Sequence, residues 1–282
     1  MALLDDVPLD KPDEVPPDGG LPRRGSALIA IAAAVLVTAA AAAIYVLFGR
    51  NPGPAQAPAQ AQPASPPGDA AAAEAGENIP LPPLDATDPI VRKLVTQLSQ
   101  HPTVAAWLAT ERLLRNFVVV TMNVSDGKTP TRHLKAVTPQ GKFRVKSAAT
   151  GAYIDPGSYA RYDRYAEAVD ALDARGTARL YATLRPRLVE AYAEQGIPED
   201  KVDAVLERAI IHLLETPLVD GEVPLRSKTI SYAFSDERLE SLSSAQKQFL
   251  RMGPRNVRLI QAKLRDLALY LGIPSARLPA PK

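Results

Sequence analysis

The chain has 282 residues, 46% of them hydrophobic, and carries 33 Lys and Arg against 31 Asp and Glu for a formal net charge of +2. It has no cysteine, which excludes disulfide staples, thiolate nucleophiles and thiolate zinc sites. The length suffices for one sizeable core beside a good deal of chain that need not fold.

Residues 1–25 are acidic and Pro-rich and show no hydrophobic period, which predicts a disordered tail. Ser26 to Phe48 then reads SALIAIAAAVLVTAAAAAIYVLF, uncharged and almost wholly apolar. At about 1.5 Å per residue, such a helix crosses the ~30 Å hydrocarbon core of a bilayer. It is longer than the ~7–15 apolar residues of a cleaved signal peptide. The small-residue site at Ala55-Gln56-Ala57 is followed by Pro58, which hinders cleavage. The expectation is an uncleaved signal anchor. Lys11, Arg23 and Arg24 precede the span and Arg50 stands alone behind it, so the positive-inside rule puts the N-terminus in the cytoplasm and the main domain outside. This predicts a single-pass membrane protein whose main domain is extracytoplasmic.

Residues 49–83 are rich in Ala, Pro and Gln and read as a disordered linker. Residues 84–273 form the predicted globular domain and 274–282 a disordered C-terminal tail. After Pro83 there remain 29 bases and 22 acids, a net of +7. That balance allows contact with anionic lipid or wall polymer, although a solvated mixed-charge surface explains it as simply.

Within the domain, Asp88-Pro89 predicts a helix start with Asp as N-cap, and Ile90, Leu94, Val95 and Leu98 follow at helical spacing. Val104, Trp107 and Leu108 suggest a short second helix. Thr110 is the predicted cap of a third, with Leu113, Leu114, Phe117, Val118 and Thr121 on one face. Lys142 to Lys146 with Tyr153-Ile154 predicts a hairpin, and Val219 to Leu225 with Ile230, Tyr232 and Phe234 a second extended pair. Ser158 to Ala174 and Thr177 to Glu194 read as long helices parted at Gly176, the second kinked or split by Pro186. Glu199 to Leu214 has the cleanest helical period. Ser243-Ser244-Ala245-Gln246 fits a capping box, and Gly253-Pro254 ends one helix and opens the last. The predicted fold class is mainly α: a transmembrane helix, a linker, and one mostly helical domain with one or two short β-hairpins.

The stretches LPPLDATDPIVRKL (81–94), SYARYDRY (158–165), LRPRLVEAYAEQGIP (184–198) and LSSAQKQFLRMGPRNVRLIQAKLR (242–265) resemble a bacterial family known only as domain of unknown function number three-thousand-and-fourteen. The resemblance covers about Leu81 to Leu271, and the RMGP block is its most specific part. It implies a single-pass inner-membrane protein with a Pro/Ala-rich linker, and it supplies no activity and no catalytic residue.

Chemistry-bearing motifs are sparse. His101, His133 and His212 stand apart, with no spacing that would place two metal ligands on one helix face, so no metal and no cofactor are expected. His212, late in its helix, is expected as a partly charged imidazole at the negative dipole end. No G-x-S-x-G, Walker loop or G-x-G-x-x-G occurs. Glu240-Ser241 resembles the Glu-Ser pair of lytic transglycosylases, but the glycine-rich and Ala-Tyr-Asn blocks of that fold are missing, and Glu240 reads more simply as a helix-surface residue. No nucleic-acid signature is present.

The remaining candidate is a run of tyrosines interleaved with arginines: Tyr159, Arg161, Tyr162, Tyr165, Arg185, Arg187 and Tyr192. Tyr and Arg are favoured in binding hot spots. The competing account is that the tyrosines line the core. The sequence thus predicts a tethered, non-enzymatic binding or scaffold domain with an envelope protein, or less readily cell-wall polymer, as partner. A peptidoglycan-active enzyme using carboxylates is one alternative. A membrane assembly factor acting through its small-residue span, Thr38 to Ala43, is the other.

Overall fold

The computed structural model describes residues 73–130, 139–148, 151–228 and 231–281. The predicted tail, the span from Ser26 to Phe48, most of the linker, and His133 lie outside these residues. No helix among the described residues is long and apolar enough to cross a membrane.

A helical layer is built first. Helix α1 (Asp88–Leu98) and helix α2 (Pro102–Leu108) form an antechamber to α3 (Leu113–Ser125). The run Val118-Val119-Val120 lies inside α3, where the helical spacing of Leu113, Leu114, Phe117 and Val124 buries one continuous face and overrides β-propensity. Caps differ from the sequence expectation. Thr87 is the N-cap of α1, and Asp88 reaches across to the next helix. Its Oδ2 accepts from the backbone N–H of Arg112 at 2.7 Å and its Oδ1 from that of Leu113 at 2.9 Å. Arg112 is the N-cap of α3 with a left-handed φ of 54° and no capping side chain, so Asp88 supplies the missing acceptor. Thr110 donates back to Trp107 instead of capping α3.

The two hairpins join into one sheet. Strands β1 (Val145–Ala148) and β2 (Gly151–Ile154) pair antiparallel, as do β3 (Pro224–Lys228) and β4 (Ser231–Phe234), and β2 pairs with β3 to give the order β1-β2-β3-β4. Ile154, Leu225 and Phe234 turn inward over Leu239 and Leu250, making a small second core.

Between the hairpins run short 3-10 turns (Pro156–Ser158, Ala160–Tyr162) and α4 (Asp163–Asp170), then α5 (Ala174–Ala193) and α6 (Val202–Leu214). The break expected at Gly176 falls earlier, because Asp173 caps α5, its carboxylate accepting from the backbone N–H of Arg175 and of Gly176. Pro186 sits inside α5 without splitting it. The chain closes with α7 (Glu237–Glu240), α8 (Ser244–Leu250) and α9 (Pro254–Tyr270). The capping box at Ser243 and Gln246 is formed. Helix α9 packs on α4, α5 and α6, and α3 on α5 and α6, around the main core. Buried Gln261 of α9 donates to the carbonyls of Leu213 and Thr216, closing the C-terminal end of α6.

Both ends of the packed region extend past the boundaries read from sequence. Residues 73–83, assigned to the linker, lie as a strap along α5. Glu74 pairs with Arg175 and Arg179, the Glu77 N–H donates to Thr183 Oγ1, and Arg187 donates to the Leu81 carbonyl. Residues 274–281, read as a tail, form a 3-10 turn (Ser275–Arg277), and Arg265 donates to the carbonyls of Pro279 and Ala280. Pro/Ala-rich composition without a hydrophobic period hid both segments, although Ile79, Leu81 and Leu278 pack against the main core beside these polar contacts.

Candidate functional site

The seven Tyr and Arg residues singled out in the sequence do not form one surface. Tyr162 and Tyr165 are each 2% exposed and Tyr192 is 0% exposed, so all three are core side chains. Burial pushes the Tyr162 and Tyr192 phenols up from their ordinary value. The arginines beside them act as lids. The Arg161 guanidinium lies 5.1 Å from the Tyr162 ring and 5.8 Å from Phe143, and Arg164 stacks 4.8 Å from Tyr165 while donating to its hydroxyl at 2.6 Å. Tyr159 lies half-buried on Gly253. Arg187 holds the strap through the Leu81 carbonyl and pairs with Glu190.

Arg185 is placed differently. It faces a pocket of about 360 Å³ between α5, α6, the end of α9 and the first residues of the strap. Ala178, Ala182, Leu206, Leu271 and Ile273 supply apolar walls, and Tyr181 and Tyr270 the larger faces. Charges ring the opening in pairs, although Glu207 Oε1, close to Arg277, is buried without a well-directed hydrogen bond. Asp203 accepts from the Tyr181 hydroxyl at 2.7 Å and from Arg185 at 2.9 Å, Arg185 also reaches Glu199, and Arg277 pairs with Glu207 at 2.8 Å. Burial first, and the Asp203 carboxylate second, push the Tyr181 phenol up, so it serves as a hydrogen-bond donor. Asp203 and Glu207, one turn apart on α6, both reach this opening. Each already holds a guanidinium, so neither offers a free pair of oxygens to a substrate. The pocket is therefore suited to an apolar side chain flanked by polar groups, which is how a peptide anchor is commonly received.

Sequence reasoning found Arg185 and missed the rest of this site. Tyr181 and Asp203 are 22 residues apart, and only the packing of α5 on α6 brings them together. Ile273 and Arg277 sat at or beyond the predicted domain edge.

Other candidates resolve as structural. Glu240 accepts from the Phe234 backbone N–H at 3.0 Å and lies 3.7 Å from Lys247, so it clips the sheet to α8 instead of lying free on a helix surface. His212 Nε2 is 2.7 Å from Ser243 Oγ, a Ser–His contact. Ser243 Oγ also accepts from the Gln246 backbone N–H at 3.1 Å as the cap of α8, and Gly127 packs against the pair, so the contact has a structural role. Burial holds the His212 imidazole below its ordinary value, which corrects the expectation of a partly charged ring. His101 caps α2, its Nδ1 accepting from Thr103 N–H at 3.2 Å. Among the described residues no group of three or more His, Cys, Asp or Glu is placed to hold a metal ion.

Two of the four blocks that carried the family resemblance meet at a joint. A Cβ on Gly253 of the RMGP block would lie 2.5 Å from Tyr159 Cγ of SYARYDRY, and Asn256 donates to Asp163 and to the Tyr159 carbonyl. Comparison with known proteins agrees with that resemblance: residues 113–268 match the family described as protein of unknown function (DUF3014). No curated protein and no solved structure matches the chain.

Proposed function

We propose, for a chain that belongs to the DUF3014 family of proteins of unknown function, that the helical domain is a non-enzymatic binding module held beside a membrane. The anchor is the apolar run Ser26 to Phe48, with the N-terminus cytoplasmic and the domain periplasmic. The partner is another envelope protein. It inserts an apolar side chain between Tyr181, Leu206 and Ile273 and meets Arg185 and Asp203 at the rim.

The observation that carries this reading is the position of the pocket. Ala73 and Glu74, where the chain arrives from the linker, form part of its wall. Glu74 is fixed there by Arg175 and Arg179 and by its own N–H on the Tyr270 carbonyl at 3.0 Å. A tether attached at the mouth of a pocket keeps that mouth within the linker's reach of the anchor and raises its effective concentration toward partners in the same membrane.

Ala182→Trp tests the reading by filling the pocket from its wall. The variant should keep the thermal stability of the parent and lose its copurifying envelope partner by about tenfold or more, the cost of about 1.4 kcal/mol of a hot-spot contact. Unchanged copurification with a full pocket would refute the assignment. Resistance of the full chain to alkaline extraction from membranes, with the domain digested only after the outer barrier is opened, tests anchor and orientation separately.

A further inference from the structure

Three acids line the pocket: Glu74, Asp203 and Glu207. Arg175 and Arg179 hold Glu74, and Arg185 holds Asp203. Glu207 is different. Its side chain is 12% exposed, and its Oε1 is buried with no hydrogen-bond partner among the described residues. An Arg277 nitrogen lies 2.8 Å from that oxygen but off the direction that a hydrogen bond needs, and Arg277 itself is largely exposed. Other donors along the wall are committed elsewhere. The Tyr181 hydroxyl donates to Asp203, and the N–H groups of Glu74, Gly272 and Ile273 donate to the carbonyls of Tyr270, Leu269 and Ala268. A buried acceptor without a donor is costly, so Glu207 Oε1 takes its donor from what occupies the pocket.

That donor is neutral and sits on an apolar body. Charge decides the first point. Every acid in the wall already faces an arginine, so an ammonium or guanidinium entering here would stand against like charge. The walls decide the second. Ala178, Ala182, Leu206 and Ile273 are apolar, Tyr181 and Tyr270 present rings, and about 360 Å³ has room for a large side chain. Tyrosine and tryptophan both combine an apolar body with a polar tip. A carboxylate only accepts and an indole N–H only donates, so the two match. A phenol brings an acceptor of its own, whose lone pair would be left beside the carboxylate.

We propose that the anchor received by this pocket is a tryptophan side chain of the partner, its ring between Tyr181, Leu206 and Ile273 and its indole N–H donating to Glu207 Oε1. The assignment rests on the pocket reading above and narrows the partner to an envelope protein that exposes a tryptophan. Water displaced from Glu207 is then replaced by a group that reproduces its hydrogen bond, which an apolar ring without a donor cannot do.

The test needs no altered protein at its centre. The full chain in lipid nanodiscs is mixed with N-acetyl-5-fluorotryptophanamide, and binding is read as broadening of the fluorine resonance beyond that given by empty nanodiscs. Unlabelled N-acetyl-tryptophanamide then competes, alongside its benzothienyl analogue, which keeps the bicyclic shape and puts sulfur in place of the N–H. Tryptophan recognition predicts that the analogue competes about tenfold more weakly, the usual worth of a donor on a charged acceptor. The amides of tyrosine and phenylalanine should also compete more weakly. Ala182→Trp should remove the broadening, and Glu207→Leu, if its melting temperature is retained, should bring the indole and benzothienyl amides to equal strength. Equal competition by those two on the parent chain, with Ala182→Trp still abolishing binding, overturns the tryptophan assignment and leaves a pocket for apolar side chains. Stronger competition by the tyrosine amide overturns it as well. So does broadening that is absent from the parent or survives Ala182→Trp, and the copurification result then decides the pocket reading by itself.

Discussion

Gly253 carries φ 85° and ψ 159°, a backbone region open in practice only to glycine. The Tyr159 ring occupies the space that a side chain there would need. Gly253→Ala should therefore cost about 3 kcal/mol or more, combining backbone strain with overpacking. A denaturant titration would show it as a fall in midpoint, and a loss below about 1 kcal/mol would mean that Tyr159 moves aside freely. His212 gives a pH signature. Its imidazole is held below the ordinary value of 6.5, so the unfolded chain takes up the proton first. The stability tied to His212 is fully present above pH 6.5 and is lost as the pH falls through the lower, folded value. His212→Gln should flatten the melting temperature between neutral pH and about pH 5. An unchanged slope would place the acid sensitivity elsewhere.

At the scale of elements, the strap from residue 73 to 83 is the part most exposed to a single change. Gly76 lies so close to α5 that an added Cβ would come within 2.5 Å of the Thr183 N and 2.6 Å of the Ala182 carbonyl carbon. Pro186 removes the N–H that would otherwise bond the Ala182 carbonyl, and the strap crosses the helix at that turn. Gly76→Val should lift the strap, speeding proteolysis at 74–80 severalfold while the core melts nearly as before. Proteolysis at the parental rate would show that the contacts of Glu74, Glu77 and Leu81 hold the strap without a close approach at Gly76.

The same elements show what the sequence could and could not disclose. Helices α3, α6 and α9 were legible because each buries one periodic apolar face: Leu113, Phe117 and Val124 in the first, Val205, Ile210 and Leu213 in the second, Val257, Ile260 and Leu264 in the third. The hairpins were legible as pairs, but their union through Ala152 and Leu225 was not, because two cross-strand partners more than seventy residues apart leave no local trace. Caps shared between elements, such as Asp88 on α3, escape for the same reason. The pocket escaped because its walls come from four separate segments, and because two of the family blocks that drew attention serve a packing joint between Tyr159, Gly253 and Asn256.

For the whole molecule, the central claim is that a pocket fixed at the junction of tether and domain receives an envelope protein. The most direct measurement is photo-crosslinking in living cells, with a photoreactive residue at Ala182 on the pocket wall of the full chain and, for comparison, at Ala105 on the exposed side of α2. The account predicts a discrete adduct with an envelope protein from position 182, none from 105, and loss of the adduct when Leu206→Arg places a charge in the pocket of a domain shown to remain folded. Adducts of equal yield from both positions, or adducts with wall fragments alone, would contradict it.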